Sequence, residues 1–311
     1  MTAAASLPAA RPSRTALIAA CLAAVWFIWG STYLAIKWAL VSFPPFVQMG
    51  TRFLVAALLL GGWASWRGAR WPQRDEWVSA SVLSLLMIVG GFGLTALAQT
   101  RVSSGLVVAF FTVTPAVMAL MQLPYGLKPT RLEVAGIVCG LLGVGLLTRG
   151  QGISASWLGL MCLCGASLSW SLGSVWAMHG LPGGRRLKLA EGAAGYASQM
   201  LVGGLVLLLI AMLLGESPQW PPEARALGAW VYLVVAGTLI TYSAYLLLLQ
   251  QAGTALASSY AFVNPVIGLL LGVSIGGEVV SRGEWLAASV AIVGVVLLLL
   301  ARPGKSNSSA S

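Results

Sequence analysis

Thr114-Pro115, Pro124-Tyr125-Gly126, Leu132-Glu133 and a glycine-rich run from Gly136 to Leu147 follow one another in the first half of the chain. Asn264-Pro265, Gly276-Gly277-Glu278, Gly283-Glu284 and a run from Ala287 to Leu300 repeat that order in the second half. Pro115 and Pro265 are 150 positions apart and Glu133 and Glu284 are 151 apart, so a single gap aligns about forty residues. Each copy reads as an apolar helix, a short polar turn, an acidic residue and a second apolar helix. An offset close to half the chain length divides the 311 residues into two structural halves.

The medium around those halves follows from composition. Hydrophobic residues make up 58% of the chain and charged residues 8%, too little polar surface to clothe a water-soluble fold. Thirteen Trp and 37 Gly suit a bilayer, where Trp marks interfaces and Gly lets helices approach. The formal charge of +10 raises a nucleic-acid partner only to dismiss it, because the basic residues are dispersed between apolar runs. Cys21, Cys139, Cys162 and Cys164 all fall inside apolar segments, and Cys162 and Cys164 point to different sides of a helix. No metal, disulfide or cofactor is expected.

Apolar runs long enough to cross a bilayer lie at about 15–40, 46–66, 76–99, 103–123, 131–148, 156–178, 190–214, 226–249, 255–275 and 284–301. The first run is too long for a signal peptide and reads as an uncleaved span. Ten spans in two repeats put five in each half, and an odd number inverts the second half relative to the first. The expected organisation is a disordered segment 1–14, a first five-helix repeat 15–148, a linker 149–155, a second repeat 156–301 and a tail 302–311. With the N-terminus cytoplasmic, twelve Lys and Arg fall inside (Arg11, Arg14, Arg67, Arg70, Arg74, Lys128, Arg131, Arg185, Arg186, Lys188, Arg302 and Lys305). Six fall outside (Lys37, Arg52, Arg101, Arg149, Arg225 and Arg282), which places both termini in the cytoplasm.

Inverted repeats are a feature of secondary transporters, whose site lies near the midplane between the halves. Four groups of residues carry a closer resemblance: Trp29-Gly30-Ser31-Thr32-Tyr33, Pro44-Pro45 followed by Arg52-Phe53, Ser258 through Pro265, and Gly277-Glu278 through Glu284-Trp285. Together they resemble the bacterial drug/metabolite transporter superfamily, EamA type, across about residues 15 to 301. The resemblance implies an all-α integral membrane protein with ten transmembrane helices, arranged as two inverted five-helix repeats around a central cavity. It also implies export of small metabolites from the inner membrane, and within the superfamily the chain is most similar to exporters of amino acids and aromatic compounds.

A carrier without a cofactor does its chemistry with the lining of its cavity, so polar and aromatic groups at mid-span are the candidates. The first span offers Trp26, Trp29, Tyr33 and Lys37 at steps of three and four, and the third offers Phe92, Thr95 and Gln99 after the Gly90-Gly91 pair. The fourth offers Phe111 and Thr114 beside Pro115; the sixth, Trp170, Ser171 and Ser174. Thr241, Tyr242 and Tyr245 on the eighth span and Tyr260 and Asn264, next to Pro265, on the ninth complete the set. Polar groups at such depth face the bundle. A single Ser or Thr there more commonly bonds back to a helix carbonyl than touches a ligand. Aromatic walls with scattered hydroxyls suit a small amphipathic substrate. Gly90, Gly91, Pro115 and Pro265 are the candidate hinges, each proline removing one helix hydrogen bond; a static kink is the plainer alternative.

All eight acidic residues lie at helix ends or in loops, which gives proton or sodium coupling no mid-span group. Glu133 and Glu284 are expected to cap the fifth and tenth helices, and His179 to be a solvated residue ending the sixth. Lys37 and Arg52, placed near the outer ends of their spans, either attract a carboxylate or snorkel to headgroups. Gly136-x-x-x-Gly140 and Ala287-x-x-x-Ala291 serve packing within a monomer or, less readily, a dimer seam. An enzyme in the membrane would want paired carboxylates or a His cluster, and one His with scattered acids supplies neither. The reading is a carrier and not an enzyme, with the lipid bilayer and a small molecule as its partners.

Overall fold

The structure is a computed structural model that describes residues 13–102, 104–147, 156–276 and 281–301. Helices occupy all ten predicted stretches, and the described residues contain no β-strand. They are α1 (Arg14–Ala39), α2 (Pro45–Trp66), α3 (Arg74–Gln99) and α4 (Leu106–Tyr125), then α5 (Arg131–Leu147). The second half holds α6 (Trp157–His179), α7 (Gly192–Leu213) and α8 (Ala224–Ala257), α9 (Tyr260–Gly276) and α10 (Arg282–Leu300). Seven of these, α1 to α4 and α6 to α8, are long and apolar enough to cross a membrane. The linker 149–155, the tail 302–311 and most of the segment 1–14 fall outside the described residues, as do Gly277, Glu278 and the side chain of Glu284.

Local chemistry sets the helix ends. Pro45 opens α2, where its missing N–H would be unused and its φ is already helical. Two free N–H groups of that first turn, on Phe46 and Val47, donate to Glu216 Oε2 at 2.9 Å each. The carboxylate is thus held where the helix dipole favours it. The expected role of Glu133 is present: Thr130 N donates to its Oε2 at 2.6 Å and Glu133 N to Thr130 Oγ1 at 3.2 Å, a reciprocal cap on α5. Gly253, at φ 82°, ends the regular part of α8, close to the predicted 249.

Three helices contain π-helical stretches: Ala24–Ile28 in α1, Ser84–Gly93 in α3 and Leu233–Ile240 in α8. The α3 stretch includes Gly90-Gly91, where a simple kink was expected; the helix widens by a residue per turn instead. Pro115 also departs from expectation. A turn at Thr112–Val113 interrupts α4, and Pro115 lies in the first turn of the segment that follows, so it removes no bond within that segment. Pro265 does lie inside its helix.

Packing pairs α2 with α7 and α5 with α10 over their lengths, while α3 lies against α6 and α1 against α8. Both long seams rest on glycine. A Cβ at Gly50 would be 2.7 Å from Leu208 Cγ, and one at Gly204 2.8 Å from the Leu54 backbone N. A Cβ at Gly143 would meet Ala291 N at 2.4 Å, and one at Gly294 would meet Gly140 N at 2.6 Å. Gly136, Gly140 and Ala291 therefore serve the α5–α10 contact inside one chain, the first of the two uses expected for these motifs. Outward, α7 and α10 present Leu209, Met212, Leu286 and Val293, and Trp66 and Trp157 are exposed at the ends of α2 and α6, suiting lipid tails and their interface.

The seam gives a test of the packing. Gly143→Leu forces side-chain atoms into the α10 backbone and is expected to cost about 1–3 kcal/mol or more. Gly145→Leu, where a Cβ meets nothing within 4 Å, is expected to be tolerated. Reversible unfolding in mixed micelles would separate the two.

Candidate functional site

Trp29 sits where α1, α3, α6, α8 and α9 converge. Its ring centroid lies 6.0 Å from Phe92, 5.6 Å from Trp170, 5.2 Å from Tyr245 and 5.0 Å from Tyr260. Its Nε1–H donates at 3.1 Å to the carbonyl of Gly237, in the π-helical stretch of α8. Most of these ring pairs meet edge to face, the arrangement the ring quadrupole favours. Trp170 and Tyr245 close to 4.7 Å, and the Tyr245 hydroxyl is 2.8 Å from Ser174 Oγ, which itself donates to Trp170 O. Tyr242 backs the cluster through Phe53 and Phe92, and its hydroxyl donates to Gln199 Oε1 at 3.1 Å.

A cavity of about 50 Å³ opens within these rings, lined by Trp29, Thr32, Tyr33 and Ile36 of α1, Gly91, Phe92 and Thr95 of α3, Phe111, Trp170 and Tyr260. The α1 residues follow a 3–4 spacing and so share one helix face. Gly91 belongs to the wall because a Cβ there would press on Trp170 Cε3 at 2.9 Å. The same close approach explains Gly90, whose Cβ would collide with Ser169 of α6. The volume suits a water or two, well below a metabolite.

A second cavity, about 400 Å³, lies at the end of the bundle where α1 begins and α10 ends. Pro115, Met118 and Gln122 of α4 line it, together with Lys128, Glu133, Met178, His179 and the stretch from Gln251 to Leu256. Its size falls in the range of ligand pockets. At the opposite end the α1–α2 and α7–α8 connections are joined: Gln219 N donates to Ser42 O at 2.8 Å, Glu223 N to Ser42 Oγ at 3.0 Å, and Glu216 caps α2. Lys188, between α6 and α7 at the same end as this larger cavity, or vestibule, has its pKa raised above the ordinary value by its hydrogen bond to Asp75.

The sequence candidates divide accordingly. Trp29, Tyr33, Phe92, Thr95, Phe111, Trp170 and Tyr260 line the chamber, and Tyr242, Tyr245 and Ser174 form its second layer. Ser171 is buried with no hydrogen-bond partner, and Asn264 lies near the Tyr33 hydroxyl without a bond of regular geometry. Thr95 and Thr241 bond back to the carbonyls of Gly91 and Ala236, and Thr114 faces Ser167 at 3.4 Å. Trp26 and Gln99 stand apart. Trp26 donates to Ser259 at 2.9 Å and packs beside Phe262, a turn away from the chamber; Gln99 is partnerless near the end of α3.

Two expectations need correction. His179 is half-buried, with its ring 5.4 Å from Tyr125 and its Nε2 without a partner, because Tyr125 at the end of α4 packs over the end of α6 and donates to the Gly180 carbonyl. Arg52 neither snorkels nor reaches a headgroup: its side chain is fully buried. Seven residues into α2 it is roughly 10 Å from the helix start at 1.5 Å per residue, too deep to extend out. Thr32, Ile36, Phe53 and Gly237 were also missed, Thr32 and Ile36 because only their shared face with Trp29 could have marked them.

The fold and site define a multi-helix membrane protein with a central chamber, the architecture of a carrier. The chain belongs to the EamA-like transporter family, whose pattern it matches twice, at residues 14–149 and 157–300. It is 35% identical over 282 residues to the uncharacterized inner membrane transporter YedA of Escherichia coli (strain K12), across 90% of each chain. It is 26% identical to the uncharacterized transporter sll0355 of Synechocystis sp., covering 89% of this chain and 88% of that one. A crystal structure 20% identical in sequence shares the fold with a TM-score of 0.75, over 94% of this chain and all of that one.

The Ser174–Tyr245 contact is testable without a substrate. A double-mutant cycle with Ser174→Ala and Tyr245→Phe is expected to give a coupling of about 0.5–1.5 kcal/mol in unfolding. Additive effects would mean that the two hydroxyls do not act together.

Proposed function

We propose that this transporter is an inner-membrane exporter of small amphipathic metabolites, aromatic or apolar amino acids and their analogues foremost. Both termini are cytoplasmic, and the vestibule is the cytoplasmic entrance. The observation that carries the reading is the aromatic chamber around Trp29, contracted to about 50 Å³ and flanked on one side by a ligand-sized vestibule. Flat or apolar side chains pack well against such rings, and Thr32, Thr95, Tyr33 and Tyr260 offer hydroxyls for a polar end. The naming of its relative YedA as an inner membrane transporter supports the membrane proposed here.

Transport proceeds by alternating access between two inverted five-helix halves, residues 15–148 and 156–301. Several features support the inversion. The family pattern matches once in each half. Under the 151-residue offset Gly140 corresponds to Ala291 and Gly143 to Gly294, and in the α5–α10 seam Gly143 abuts Ala291 as Gly294 abuts Gly140. The contacts of α4 with α6 and of α9 with α1 are likewise equivalent, and α3 and α8 carry π-helical stretches at matching positions. In this cycle the Ser42–Gln219 and Ser42–Glu223 contacts form the outer gate. Gly90, Gly91, Pro115 and Pro265 absorb the motion. The carrier works as a monomer, since its glycine seams are already used within the chain.

The cycle needs no obligatory ion. The described carboxylates sit at helix ends, where Glu133 and Glu216 serve as caps. A second reading, proton-coupled efflux, draws on His179 and Glu133 sharing the vestibule wall. Counterflow of labelled phenylalanine, threonine and methionine in proteoliposomes decides between them. Saturable counterflow indifferent to an imposed pH gradient is expected; acceleration by the gradient would favour the second reading. Absence of counterflow with all three would remove amino acids.

A further inference from the structure

Arg52 is the largest of the fully buried side chains, and its surroundings are unusual for a charge. Nε donates to Thr238 Oγ1 on α8, and Nη1 to the sulfur of Met49 at 3.6 Å. The Phe53 and Phe92 ring centroids are each 5.4 Å from Cζ. No carboxylate faces it among the described residues: the ion pairs there are Arg70–Glu76 and Lys188–Asp75, and neither involves Arg52. A guanidinium cannot shed its proton in a protein, and a buried cation without an anion is costly. A thioether is one of the weakest acceptors a strong donor can have.

A purely structural role would tie α2 to α8 through Thr238 and could be filled by a neutral amide. The position of the charge says more. Phe92 is shared, lining the chamber while taking the guanidinium against its ring. Thr32, another wall residue, is separated from the cation by the site of a missing side chain. A Cβ at Gly237 would lie 3.1 Å from Thr32 Cγ2 and 3.4 Å from Arg52 Nη2. The cation is one side-chain layer behind the wall.

We propose that Arg52 binds the carboxylate of the transported molecule while its aromatic or apolar part occupies the chamber. Resting on the carrier reading above, this narrows the substrate class to small organic anions and zwitterions. The planar guanidinium fork matches a carboxylate, whereas a phosphate dianion would call for more than one cation. As the chamber expands, the donor on Met49 exchanges a thioether for a carboxylate oxygen, and the buried charge gains its counterion.

The test compares three probes of one shape, 3-phenylpropionate, 3-phenylpropanol and 3-phenylpropylamine, by thermal protection of the purified full-length protein in detergent. Wild type is expected to prefer the carboxylate. Arg52→Gln is expected to weaken its binding by roughly 10- to 100-fold, the worth of hydrogen bonds to a charged group, with the alcohol little changed. Arg52→Lys keeps the charge without the fork and should fall between. Gly237→Val keeps Arg52 but fills the gap toward Thr32, so it too should lose the preference if Arg52→Gln fails to fold. Equal protection by the three probes, a preference that survives Arg52→Gln, equal protection by inorganic phosphate, or no protection by any probe would each overturn the proposal. Loading the same probes into proteoliposomes separates the two claims. Carboxylates that bind through Arg52 without being carried would sink the transport reading alone, and carboxylates carried equally by Arg52→Gln would sink the role of Arg52 alone.

Discussion

Helices in lipid gain nothing from hiding apolar surface, because the tails outside are as apolar as leucine. Contact has to come from closeness, and closeness here comes from glycine. At Gly50 and Gly204, and again at Gly136, Gly140, Gly143 and Gly294, backbones approach to distances that a methyl group would forbid. These seams fix α2 on α7 and α5 on α10. Held so, the two pairs frame the remaining helices, and the space left between α1, α3, α6, α8 and α9 is where the large side chains go.

That space is filled by rings. Trp29 touches four of them and anchors its N–H on a carbonyl of the α8 π-helical stretch. The widened turns in α1, α3 and α8 matter because they disturb the regular hydrogen-bond ladder beside the chamber. The polar groups buried among the rings are mostly satisfied locally, Thr95 on Gly91 and Thr241 on Ala236, so they add little polarity to the wall. Ser171 and Asn264 lack regular partners, and Arg52 differs from all of these in carrying a charge. Its charge has no local partner of opposite sign among the described residues, and it lies beside Phe92, where chamber and charge meet.

Some of this was legible in the chain. Apolar run length located most helix ends to within a few residues, since a bilayer demands a minimum span; the largest departures are α8, which runs through its break at Gly253 to Ala257, and α9, which starts only at Tyr260. The aromatic candidates were found because Trp and Tyr in mid-span stand out against Leu and Val. Arg52 had a signal too, as a lone charge inside the run 46–66, but its depth was misjudged when it was placed near the outer end. Trp26 failed for a different reason. It shares α1 and nearly the face of Trp29, yet it lies one turn nearer the helix start, where its indole donates to Ser259.

The sequence by itself determined the medium, the helices, the repeat offset and the residue types available at mid-span, because composition, run length and periodicity are properties of the chain alone. Only the tertiary structure decided which of those residues share a wall. It sent Pro115 to a helix start, used the Gly90-Gly91 pair for contact with α6, and put a guanidinium within reach of Thr32 and Phe92. The physical reason is that a cavity forms from faces of helices distant in sequence. Their relative rotation depends on glycine contacts and widened turns that no single stretch encodes.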